Sequence, residues 1–138
     1  MEYKSELIPR ILRDINDSVL ALDGRGHIIY MNPQCRALLT LDDTAIGRTY
    51  AEIFFDEPKK ENDRFHQLVI DAVYKKEQAH SGSVPFVDKN NKTKYLRITS
   101  SFLKNEENDA SGGGVVLVLS DITETEILRK KKHDASIV

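Results

Sequence analysis

One cysteine, Cys35, is all that the 138 residues contain, so an internal disulfide and a cysteine-rich zinc site are both excluded. Long apolar runs are missing too: none approaches the roughly 18–20 residues that span a bilayer, and no signal peptide is visible. Charge of one sign is not in excess. The formal net charge is −2, which gives no electrostatic case for nucleic-acid binding or for membrane contact by this segment. His27, His80 and His133 have no metal-type spacing. Gly112, Gly113 and Gly114 lack a following Lys-Ser/Thr and precede a strand, so they form no phosphate loop. Without a nucleophile elbow, the Ser, His and Asp residues carry no positional logic. No catalytic constellation remains, and the chain is expected not to be an enzyme by itself. What these absences leave is one cytoplasmic-type domain, with 40% apolar and 30% charged residues and enough length for a real core.

The most informative stretch is residues 115–126. Its five apolar residues, Val115, Val116, Leu117, Val118 and Leu119, read as a strand buried on both faces. A helix start follows, with Thr123 as cap and Glu126 three residues on to complete a capping box. Glu124 and Glu126 suit the positive end of that helix, and the basic run 129–132 its negative end. The same basic run is read as a solvated helix end rather than a nucleic-acid patch.

Earlier in the chain, Leu7, Ile11 and Ile15 fall on one face of a short amphipathic helix suited to packing on its own domain or on a second copy. Residues 18–23 and 27–31 read as a hairpin around Gly24, Arg25 and Gly26. Asn32 and Pro33 then cap and open a helix over 33–39 that buries Ala37 and Leu38. Residues 50–55 read as an apolar helical turn. Phe65, Leu68, Val69, Ala72 and Val73, at i, i+3, i+4, i+7 and i+8, define the clearest amphipathic helix, over 61–76. A second hairpin is expected from 84–88 and 94–103, with Pro85 confining its strand to a sheet edge. Residues 105–114 read as a loop. Two strands, helices, then three strands and a final helix make an α+β fold: an antiparallel sheet with helices gathered on one face.

The run Asp23-Gly24-Arg25-Gly26-His27-Ile28-Ile29-Tyr30-Met31-Asn32-Pro33 resembles the opening hairpin of PAS domains. Ile46-Gly47-Arg48 resembles their glycine turn, and Asp121-Ile122-Thr123-Glu124 their closing signature. The three motifs stand in the order and spacing of that family, and the resemblance covers about residues 8–126. The resemblance implies a five-stranded sheet in the order 2-1-5-4-3, with a flanking helix in residues 1–16, a core over 17–122 and an output helix from 123 to 138. It further implies a sensory and dimerisation module, a homodimer that relays a small ligand or partner to a downstream effector in the same chain. A histidine kinase in two-component signalling is the first expectation. The alternative is a ligand-free interaction module of a transcriptional regulator or cyclic-nucleotide enzyme.

Within that frame Asp121, Thr123 and Glu124 form the relay, while Leu38, Ile53, Phe65, Leu68, Val69 and Ala72 are candidates to line a pocket. Leu7, Ile11 and Ile15 are candidates for dimerisation. Leu41 and Tyr95 depart from the Gly-aromatic and Trp that many members carry. No cofactor is named by the sequence. Light-sensing members place their flavin-reactive cysteine three residues after the glycine matched by Gly47, and Tyr50 stands there. Cys35 is therefore read as a small core residue. His66 occupies the helix where haem-binding members carry their ligand, but at the edge of the apolar stripe, so it is read as a surface or boundary residue rather than an iron ligand.

Overall fold

The computed structural model describes residues 17–55, 59–103 and 113–137, with side chains described to residue 131. The helix expected around Leu7, Ile11 and Ile15 lies outside them. Strand β1 (Ser18–Asp23) turns into β2 (Ile28–Met31). Asp23 Oδ1 accepts the N–H groups of Arg25 and His27, both at 2.9 Å, and Gly26 takes φ +86°. That left-handed conformation is open to glycine without a Cβ penalty. Helix α1 (Pro33–Leu39) follows, with Asn32 Oδ1 capping the Cys35 N–H at 2.9 Å and also accepting Val19 N–H of β1. The cap thus fixes the helix to the sheet as well as starting it. A 3₁₀ turn (Asp43–Ala45) leads through Gly47, at φ +89°, to the one-turn helix α2 (Tyr50–Phe54), which opens on a Thr49–Glu52 capping box. Helix α3 (Asp63–Tyr74) is preceded by a 3₁₀ turn (Lys60–Asn62).

Strands β3 (His80–Val87), β4 (Thr93–Leu103) and β5 (Gly114–Asp121) complete one antiparallel sheet in the order β2-β1-β5-β4-β3, and helix α4 (Thr123–Ile137) leaves from β5. The order agrees with the sequence expectation, and β3 with its Pro85 lies at the edge. The central strand pairs Leu20 with Leu117 on one side and Ile98 with Leu119 on the other. Those residues join Phe65, Val69, Ala72 and Phe86 in a single apolar core between the sheet and the helices that precede β3. Among the described residues no helix is long and apolar enough to cross a membrane.

Several local expectations are corrected. β5 is not buried on both faces: Val115, Leu117 and Leu119 are buried, whereas Val116 and Val118 are half-buried, because the core forms on one face of the sheet. In α1 the buried residues are Cys35, Leu38 and Leu39, while Ala37 is exposed. Strand β3 begins at His80, four residues before the expected start, because its polar opening pairs with β4 across a bulge between Ser81 and Val84.

Candidate functional site

A side cleft of about 280 Å³ opens between α1, α2, α3 and β3, lined by Leu39, Ile53, Phe54, Lys59, Asn62, His66, Phe86, Val87 and Lys89. Each wall has a local cause. Leu39 ends α1, and Ile53 and Phe54 come from the turn fixed by the Thr49–Glu52 box. Asn62 docks the start of α3 onto β3, donating to Val87 O at 2.9 Å and accepting Val87 N–H at 2.7 Å. The turn carrying Lys89 is built by Asp88 Oδ1, which accepts the N–H groups of Asn90 and Lys92.

Below that turn lies a buried ion pair. Lys94 Nζ stands 3.1 Å from Asp88 Oδ2 and donates to the carbonyl of Leu38 at 2.6 Å, tying the hairpin to the end of α1. Burial works to raise the Asp88 carboxyl, but the N–H groups of Lys92 and Asn90 and the Lys94 ammonium outweigh it and hold it below the ordinary value.

His66 is buried, not a surface residue: its ring packs against Tyr50, Phe54, Phe55 and Phe65, and its Nδ1 lies 2.6 Å from the Tyr50 hydroxyl. The position at the stripe's edge misled because α2, not the sheet, covers that side of α3. Burial holds the His66 imidazole below its ordinary value, only partly offset by Asp63, and pushes the Tyr50 phenol well up. Cys35 is fully buried, and burial pushes its thiol up to about 12, against the thiolate that adduct chemistry requires.

Of the residues singled out as pocket lining, Ile53 reaches the cleft. Phe65, Val69, Ala72 and Leu38 are buried in the core, and Leu68 packs against it half-buried. Val69 also borders a small apolar hollow of about 80 Å³ beside Tyr50 and Phe55. Asn62, Lys59, Lys89 and the Asp88–Lys94 pair escaped the sequence reading. Lys94 had a signal, since alternation with Leu96 and Ile98 places it on the buried face of β4.

Near the same turn, where β4 begins, the structure brings Asp121 and Thr123 together. Asp121 Oδ1 accepts both the N–H of Thr123, at 3.0 Å, and its hydroxyl. The same hydroxyl oxygen accepts Tyr95 N–H of β4 at 2.9 Å, and Ile122 N–H donates to Tyr95 O at 2.8 Å. The expected capping box does not form: Thr123 faces the strand, and Glu126 is buried and pairs with Arg129 at 3.0 Å. Glu124 is exposed and borders a groove with Ile127 and Leu128. Lys130 sits 4.8 Å over the Tyr95 ring, adding a cation–π contact between α4 and β4.

A family model described as PAS domain matches residues 16–124. A search of curated proteins finds no match. Among solved structures the chain is similar to an RNA-binding Light-Oxygen-Voltage receptor, with TM-score 0.67 and 11% identity over 100% of this chain and 38% of that one. It therefore spans well under half of that receptor's length. It is also similar to the PAS domain of a protein from Colwellia psychrerythraea, with TM-score 0.63 and 16% identity over 87% of this chain and 98% of that one. The PAS domain of nitrogen regulation protein NR(II) from Vibrio parahaemolyticus gives TM-score 0.58 and 16% identity over 84% and 98%. At these identities the likeness is one of fold.

Proposed function

The chain belongs to the PAS domain family, and from that premise we propose that it senses a small ligand or partner at the α1–α3/β3 cleft and relays the event through β5 to α4. The observation that carries this reading is the junction at Thr123. One hydroxyl joins the end of the central strand, through Asp121, to β4, through Tyr95, at the first residue of the outgoing helix. A shift of β4 against β5 must therefore stretch or break a bond that sets where α4 begins. An occupant moves this equilibrium only as far as it binds the two arrangements with different affinity.

The effector in the reading is a histidine kinase of a two-component system. Support comes from the names of two structural neighbours, nitrogen regulation protein NR(II) and a two-component sensor histidine kinase. The proposal includes a cytoplasmic setting, a homodimer, and no catalysis by the domain itself; turnover requiring only these 138 residues would overturn that last part. In the parent protein, Asp121→Ala and Thr123→Ala should each make output independent of the input, while the isolated domain still gives a cooperative thermal melt. Regulation that survives both substitutions would sink the relay.

A ligand-free interaction module is the competing reading. It is favoured by the filled core, where Phe65, Phe86, Leu96, Ile98, Leu117 and Leu119 are fully buried. Native mass spectrometry of the purified domain separates the two, since a retained non-solvent mass belongs only to the sensor.

A further inference from the structure

The cleft is one-sided in both charge and hydrogen-bonding sense. Lys59 and Lys89 line it, and none of its nine described lining residues is acidic. Asn62 is held in place by the Val87 backbone, using its amide oxygen once and one of its two N–H groups. His66 follows from its partner. The buried Tyr50 hydroxyl has His66 Nδ1 as its hydrogen-bond partner. Donating the hydroxyl proton to Nδ1 satisfies both groups, whereas accepting from Nδ1 would leave that proton unpaired in the core, a costly arrangement. The neutral ring then carries its hydrogen on Nε2, which makes the remaining nitrogen a donor. Lys59 gives one hydrogen to Asn91 Oδ1 at 2.6 Å and keeps two. Asp42 is close enough to Lys89 to feel its charge, but it does not line the cleft, and its Oδ1 accepts both the N–H and the hydroxyl of Thr44. The side chains lining the cleft thus combine the donors of Lys59, Lys89 and His66 with the apolar surfaces of Leu39, Ile53, Phe54 and Phe86.

We infer that the cleft takes a small organic acid, its carboxylate held by the Lys59 and Lys89 ammonium groups and its apolar body against Leu39, Ile53, Phe54 and Phe86. This rests on the cleft being the input site and adds the chemistry of the ligand. Two ammonium groups supply charge-assisted hydrogen bonds that a neutral analogue forfeits. The volume of about 280 Å³ falls just under the range of small-molecule sites, roughly 300–1,000 Å³, so the acid is small.

The test titrates 4-phenylbutyrate, its neutral amide 4-phenylbutyramide, and acetate into the ¹⁵N-labelled chain and reads amide shifts. The acid should move the amides of His66, Val87 and Lys89, with a Kd about tenfold or more below that of the amide, and acetate should bind more weakly than either. In Lys59→Met/Lys89→Met the preference for acid should fall to about twofold or less, while Lys59→Arg/Lys89→Arg should keep it. Equal binding of acid and amide would overturn the inference yet leave the cleft a ligand site. An acid preference unchanged in the methionine variant, or no shift at the cleft with either compound, would also overturn it. The relay is judged separately by the Thr123 and Asp121 variants, which need none of these compounds.

Discussion

Tyr50 and His66 are sixteen residues apart in the chain and joined by one hydrogen bond of 2.6 Å inside an aromatic cluster. Tyr50→Phe removes the donor and leaves a buried ring nitrogen unpaired, so it should cost about 1–3 kcal/mol, read as a lower urea midpoint with an unchanged slope. The same burial makes stability depend on pH. Because the His66 pKa is lowered in the folded state, the unfolded chain binds more protons near the ordinary histidine value. The contribution of His66 is complete above about pH 6.5 and is lost as pH falls from there through the folded pKa. The wild-type midpoint should therefore fall more steeply than that of His66→Gln between about pH 7 and pH 5; parallel curves would contradict the assignment. At Lys94 the issue is an abandoned charge. Lys94→Met leaves Asp88, 3% exposed, without its ammonium partner and should destabilise by about 3 kcal/mol. Neither pair could be read from spacing, although the alternation that turns Lys94 inward was there to be seen.

Among the elements, β5 sets the tolerances. Gly114 opens it, and a Cβ there would stand 2.4 Å from the backbone oxygen of Leu22 on β1. Backbone cannot step aside as a side chain can, so Gly114→Ala should cost about 1–3 kcal/mol. Gly82 in β3, with nothing within 4 Å of its Cβ position, supplies the control: Gly82→Ala should leave the melting temperature nearly unchanged. The contrast also shows why element boundaries were unevenly legible. β1, β2, α1 and α3 carry their own caps, turns and periodicity, and their positions follow from local rules. The opening of β3, His80 to Ser83, has no strand-forming pattern of its own and is extended because β4 is long enough to pair with it. Thr123 had the right residue type for a cap, and the nearby β4 backbone claimed its hydroxyl instead.

For the whole molecule, the proposed homodimer rests on Leu7, Ile11 and Ile15, with exposed Ile127 and Leu128 on α4 as a second apolar surface. Light scattering should give twice the monomer mass, reverting to the monomer in Ile11→Asp; a strict monomer unaffected by that change would contradict it. By itself the sequence determined the family resemblance, which implies the strand order, along with the edge place of the Pro85 strand and the central place of β5. Those rest on turn and cap motifs, on a proline that cannot donate to a ladder and on one long apolar run, all of them local signals that need no partner. Tertiary structure decided where the open space lies. The stripe of α3 that reads as pocket lining is spent on the core, because Phe65, Val69 and Ala72 face the buried side of the sheet. The cleft falls beside it, where Lys59, His66 and Lys89 meet from separate elements. Convergence of that kind is set by how helices pack on a sheet, a property of distances between elements that no residue spacing encodes.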